Sequence, residues 1–97
     1  MTTYISLVSL TEQGVRDAKN IVSRIEDTRR LFDSLGVKLK DLYLVTGVYD
    51  YVAVVEAPDD ESVARAVLSL VSKGNVRTQT VRAFTPDEVE RIVGGIR

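Results

Sequence analysis

The chain contains no cysteine, no histidine and no tryptophan. Without cysteine there is no disulfide, no thiolate nucleophile and no zinc–thiolate site. Without histidine the usual proton shuttle near neutral pH is missing. Triad chemistry and the common zinc and haem sites thus lose their usual bases or ligands. Catalysis would have to rest on carboxylates, lysine, tyrosine or a bound cofactor. The scattered glycines form no phosphate-cradling pattern such as G-x-x-x-x-G-K-[ST], and neither a cofactor nor a metal is expected. An excess of one charge is also lacking. Lys and Arg number 13 against 14 Asp and Glu, a net charge of −1. Phosphate binding usually leaves a basic excess, so nucleic acid is not an expected partner. No apolar run approaches the roughly 20 residues that span a bilayer, so no membrane partner is expected either. The opening Met1-Thr2-Thr3-Tyr4 enters a strand-like run without a charged leader. The expectation is therefore no signal peptide and a cytoplasmic location.

What is present is the material of one globular domain. The chain has 97 residues, 44% hydrophobic and 28% charged. That suits a single domain over residues 1–97 with its own core, and argues against disorder.

Thr3 to Leu10 alternates and is rich in β-formers, which predicts a strand. Thr11 suits an N-cap. Val15, Ala18, Val22, Ile25, Phe32 and Leu35 then recur at helical spacing, and Gly36 sits where a helix C′ residue belongs. Gly14 weakens the first turn, so this segment can break into a short turn and a longer helix. Val37 to Thr46 and Tyr49 to Ala57 read as two strands joined by a tight hairpin at Gly47-Val48. After Pro58, the acidic run Asp59-Asp60-Glu61 favours a helix N-terminus. Val63, Ala64, Val67, Leu68 and Val71 form that helix's apolar stripe, ending near Gly74. Val76 to Phe84 is a fourth strand. Thr85-Pro86-Asp87-Glu88 carries a cap residue, a first-turn proline and a glutamate three residues after the cap, which is a capping box. Val89, Ile92, Val93 and Ile96 make the apolar face of a terminal helix.

This order, with right-handed crossovers, implies a four-stranded antiparallel sheet in spatial order 4-1-3-2 with both long helices on one face. That is an α+β, ferredoxin-like βαββαβ fold with an added C-terminal helix. A two-residue hairpin pairs Leu44 with Tyr51 and Leu42 with Ala53 towards the helices, and Tyr43 with Val52 and Asp41 with Val54 away from them. By the same alternation Ile5, Leu7, Val81 and Ala83 are expected to face the helices. Tyr4, Ser6, Val8, Thr78, Thr80 and Arg82 are expected on the open side. The open face is then apolar at Val8, Val52 and Val54, with Tyr43 beside them, and a second copy of the chain is expected to cover it.

The run Gly47-Val48-Tyr49-Asp50-Tyr51-Val52-Ala53-Val54-Val55-Glu56-Ala57-Pro58-Asp59-Asp60 resembles the signature of the GYD-domain family, named for its Gly-Tyr-Asp motif; here Val48 separates Gly47 from Tyr49. Thr3-Tyr4-Ile5, Thr11-Glu12-Gln13-Gly14, Gly74-Asn75-Val76-Arg77-Thr78 and Arg82-Ala83-Phe84-Thr85 resemble it too. The resemblance implies a dimeric α/β-barrel type of domain and supplies no catalytic residues. A weaker resemblance, over Leu44 to Tyr51, is to the effector-binding domain of Lrp/AsnC-type regulators, which bind small molecules at oligomer interfaces.

Three function classes stay open. The first is a small-molecule binding or sensor module with a pocket at a homodimer interface. The second is a dimeric α/β-barrel enzyme of the cofactor-independent oxygenase or isomerase type. The third is an interaction protein whose dimer is its function. The candidate ligand-binding residues are Tyr4, Tyr43, Tyr49, Asp50, Glu56 and Arg82. Asp50 and Glu56 lie about 20 Å apart along one strand, too far for an acid/base pair within one subunit. Arg82 is the expected partner of a carboxylate. Asp50, Tyr49 and Arg82 are expected together at the barrel mouth, with Gly47 allowing a tight turn before Asp50.

Overall fold

A computed structural model describes residues 1–97. Strand β1 (Thr2–Leu10) leads into a short helix α1 (Glu12–Arg16) and, through a 3-10 turn at Ala18–Asn20, into α2 (Ile21–Ser34). Strands β2 (Lys38–Leu44) and β3 (Tyr51–Ala57) follow, then α3 (Asp60–Val71), β4 (Val76–Ala83) and α4 (Pro86–Gly94). The sheet order is β2-β3-β1-β4, all pairs antiparallel. This is the ferredoxin-like arrangement that the element order implies.

The local signals act as their chemistry requires. The Thr11 hydroxyl accepts from the Gly14 N–H, the Asp59 carboxylate from the Ser62 N–H, and Thr85 and Glu88 form the reciprocal capping box. Gly36 and Gly74 follow α2 and α3 with φ of 76° and 85°, the left-handed geometry that only glycine adopts without steric cost.

The hairpin keeps its expected register but not its expected length. Leu44 pairs with Tyr51 and Leu42 with Ala53. One further bond, Val45 N–H to the Asp50 carbonyl, lies beyond the strands, and Thr46–Tyr49 forms the loop. Gly47 adopts no positive φ, and a Cβ there would meet nothing within 4 Å, so no tight glycine turn is needed before Asp50. The register shifts between Leu39 and Asp41. That bulge, at Lys40, turns both Leu39 and Leu42 towards the helices, where strict alternation would separate them.

The faces of β1 and β4 are the reverse of the expectation. Tyr4, Ser6 and Val8 are buried beneath the helices, opposite Val55, Ala53 and Tyr51 of β3. Tyr4 joins Phe32, Val37, Leu39, Ala53, Val55, Ala57, Val63 and Ala66 in one core. Through the β1–β4 register, Thr78, Thr80 and Arg82 share that inner face, and Ile5 stands opposite Val81 on the outer one. The physical reason is pairing. Tyr51, Ala53 and Val55 must face the helices, and their antiparallel partners in β1 must follow. Apolarity within β1 alone favours Ile5 and Leu7, because the other row contains Ser6.

Candidate functional site

The reversal makes the open face more apolar than alternation in β1 alone implies. Ile5, Leu7, Val52, Val54 and Val81 stand side by side across β3, β1 and β4. All are half-buried or exposed in the protomer, and Val81 is 43% exposed. Tyr43, 60% exposed, flanks them on edge strand β2, and Glu56, opposite Thr3, borders them at the other end of β3. Helix α4 buries none of its residues. Its apolar positions Val89, Ile92, Val93 and Ile96, with Phe84 before it, remain open to solvent.

The six candidate residues separate into different environments. Tyr43 and Glu56 lie on the open face, whereas Tyr4 and Arg82 lie on the helix side. The Tyr4 hydroxyl donates to Asp60 at the start of α3. Burial first, and the Asp60 carboxylate second, push this phenol up to about 12. Tyr49 crosses from the hairpin loop to β4, donating to Gln79 Oε1 at 2.8 Å.

Asp50 is stitched to the end of β1. Its Oδ2 accepts from the Leu10 N–H at 2.8 Å, and its own N–H donates to the Val8 carbonyl at 2.8 Å. Arg82 sits opposite Tyr4, near the other end of β1. It donates to Glu88 Oε2 at 2.8 Å and to the Thr3 carbonyl at 3.3 Å, and its guanidinium lies 4.4 Å from the centre of the Phe84 ring. The Arg82 hydrogen bond, with the capping bond from Thr85, holds the Glu88 carboxyl down at about 2. Arg82 does therefore partner a carboxylate, and that carboxylate is in the α4 capping box. Six residues of β1 separate the two sites, about 20 Å at strand spacing, so Asp50, Tyr49 and Arg82 do not converge on one mouth.

A cavity of about 220 Å³ lies on the other side of the sheet, between its inner face and helices α2 and α3. Its walls include Val8, Tyr51 and Val55 from the strands, Ile25 and Phe32 from α2, and Leu70 from α3. Arg24 of α2 also lines it. One guanidinium nitrogen, Nη2, donates to the Gly14 carbonyl at 3.2 Å. The other, Nη1, is 3.4 Å from Asp17 Oδ2, shielded from solvent and without a hydrogen-bond partner. Tyr51 is raised above its ordinary phenol value, chiefly by burial, with the Arg24 charge pulling in the opposite direction. Arg24 is not among the candidate residues that the sequence suggested. The available signal was its spacing: Arg24 adjoins Ile25 and falls one turn before Thr28, on the apolar side of α2. No three His, Cys, Asp or Glu side chains converge in a way that could hold a metal ion, and no helix is long and apolar enough to cross a membrane.

Residues 4–93 match the GYD domain family. The glutamine synthetase and cystathionine beta-lyase binding protein of Thermus thermophilus is 40% identical over 85 residues, 87% of this chain and 90% of the relative. Among solved structures, TTHA0845 from Thermus thermophilus superposes with a TM-score of 0.57 at 28% identity, over 88% of this chain and 95% of that one. MtbAldR superposes with a TM-score of 0.67 at 16% identity, over 87% of this chain and 52% of its own, a likeness of fold. This chain spans about half the length of MtbAldR. With the ferredoxin-like sheet, the Gly47 to Asp60 run and a match over nearly all its length, the chain belongs to the GYD domain family.

Proposed function

We propose that the protein is a homodimeric, small-molecule-responsive binding module that acts by attaching to other proteins. The carrying observation is the open sheet face, a continuous apolar block of Ile5, Leu7, Val52, Val54 and Val81. Exposed apolar patches of a few hundred Å² mark interaction sites. Four strands of about seven residues span roughly 450 Å² in flat projection, against the roughly 800 Å² per partner of a standard interface. The exposed apolar residues of α4 supply the remainder by reaching over the second copy. The radius of gyration, 14.6 Å, exceeds the roughly 12.5 Å expected of a compact chain this long, as a projecting α4 requires. In such a dimer Tyr43 and Glu56 border the interface.

The protein-attachment half of the reading is supported by the Thermus relative, which is named for two enzymes that it binds. The small-molecule half is supported by the cavity beside Arg24. The test is sedimentation at micromolar concentration, followed by co-purification with the glutamine synthetase and cystathionine β-lyase of the same organism. A dimer is expected for the wild type and a folded monomer for Val54→Glu, with partner retention by the wild type. A wild-type monomer, or failure to retain either enzyme, overturns the corresponding half.

A further inference from the structure

The sheet contributes two small residues, Ser6 and Ala53, to the floor of the cavity. Ala53, Ser6 and Thr80 lie side by side across β3, β1 and β4 on the inner face. The Ser6 and Thr80 hydroxyls share one hydrogen bond at 2.6 Å. Larger residues, Tyr51 with Val8 and Val55 with Tyr4, occupy the rows on either side. Of these, Val8, Tyr51 and Val55 also line the cavity, beneath α2 and α3. Protein interiors rarely tolerate a void much larger than a water molecule, because the lining atoms lose their contacts. An apolar cavity of about 150 Å³ accepts benzene, so 220 Å³ suits roughly ten heavy atoms.

The polar lining selects the ligand. Arg24 brings a fixed positive charge to the lining, and its buried Nη1, ion-paired with Asp17, has no hydrogen-bond acceptor. A buried, unfilled donor on a charged group is costly, and a carboxylate is the acceptor that best fills it. Asp17, the nearby carboxylate, is 45% exposed and contacts Nη1 at 3.4 Å without hydrogen-bond geometry. Among the cavity's own charged residues, Arg24 and Lys73 outweigh Asp27, and the exposed Lys73 and Asp27 mark its opening to solvent. The remaining walls are mostly hydrocarbon, which favours a chain or a ring behind the carboxylate.

We propose that this cavity binds a small apolar carboxylate, an alkyl or aryl acid of about ten heavy atoms, with its carboxylate on Arg24 and its hydrocarbon over Ala53 and Ser6. This assigns a ligand class to the small-molecule half of the functional reading and rests on that half alone. It places the ligand inside each protomer, away from the dimer interface. Occupation completes the packing of α2 and α3 on the sheet, so the ligand also stiffens the domain.

Titration calorimetry with 3-phenylpropanoate and 3-phenylpropanamide tests the site. The two probes match in shape and differ in charge. The acid is expected to bind the wild type saturably, at least tenfold more tightly than the amide, roughly the loss of one charge-assisted hydrogen bond. Arg24→Gln should abolish that preference. Val67→Phe, which adds bulk at a half-buried lining position and leaves Arg24 intact, should remove binding of both probes while thermal melting confirms the fold. Equal affinity for acid and amide, no saturable binding of either, or unchanged acid binding by Val67→Phe would overturn the proposal. Sedimentation of the same samples keeps the readings apart: a monomer that still prefers the acid sinks the dimer and keeps the site.

Discussion

Asp50 and Glu88 are both exposed enough to pass for surface acids, yet each is committed to backbone. Asp50 ties the end of the hairpin to Leu10 and Val8. Asp50→Asn keeps a carbonyl oxygen for the Leu10 N–H and should cost less than about 1 kcal/mol, whereas Asp50→Ala should cost about 1–2 kcal/mol. Urea unfolding separates the two, and equal losses would refute the clamp. Glu88 caps α4 and pairs with Arg82, and its folded pKa of about 2 lies below the ordinary 4.5. For a depressed carboxyl, the stabilisation is complete above the unfolded value and is lost as pH falls through the folded one. Wild type should therefore lose melting temperature between about pH 4.5 and 2 more steeply than Glu88→Gln. Parallel acid limbs in circular-dichroism melts would show that the pair adds nothing.

At the scale of elements, the junction between β1 and α2 is held by one close approach. A Cβ on Gly14 would sit 2.1 Å from the Asn75 carbonyl oxygen, a backbone atom that cannot step aside. The same turn is bound by Thr11 N–H to the Asn75 carbonyl at 3.0 Å and by the Thr11 hydroxyl to the Gly74 carbonyl at 2.6 Å. The glycine thus does more than weaken a helix turn: it lets α1 lie against the loop before β4. Gly14→Ala should destabilise by about 1–3 kcal/mol through overpacking, despite alanine's better helix propensity. A stabilised Gly14→Ala in thermal melts would mean that the loop yields. Because Arg24 donates to the Gly14 carbonyl, the variant should also loosen the wall of the cavity.

For the whole molecule, the two faces of one strand make opposite predictions. Val55 is 1% exposed among the core residues, and Val54, its neighbour, lies on the open face. Val55→Glu places an unpaired charge in the core and should cost several kcal/mol, about enough to unfold a domain of this size. Val54→Glu should leave the melting profile of the protomer intact and act only on association. Ile92→Lys on α4, half-exposed in the protomer, should weaken the proposed dimer in the same way. Sedimentation paired with far-UV melting distinguishes the cases. A Val54→Glu protein that unfolds like Val55→Glu would place the outer face within the fold itself.

The sequence alone was enough for the element order, the sheet order, the caps at Thr11 and Thr85, the glycine stops after α2 and α3 and the β2–β3 register. Each of these follows from local chemistry: a Thr before an amphipathic run, glycine at a helix end, alternation along a strand, and a right-handed crossover. It also carried the family, through runs such as Gly47 to Asp60. What it left open was which face of β1 and β4 turns inward. Both rows of β1 hold apolar residues, and only pairing with Tyr51, Ala53 and Val55 makes Tyr4, Ser6 and Val8 the buried set. That decision propagates. It sets Ser6 beside Ala53 on the floor of the cavity, sends Arg82 to Glu88 and gathers Ile5, Leu7, Val52, Val54 and Val81 on the outside. Contacts between residues 40 or more positions apart are invisible to periodicity, and both candidate surfaces of this protein are built from them.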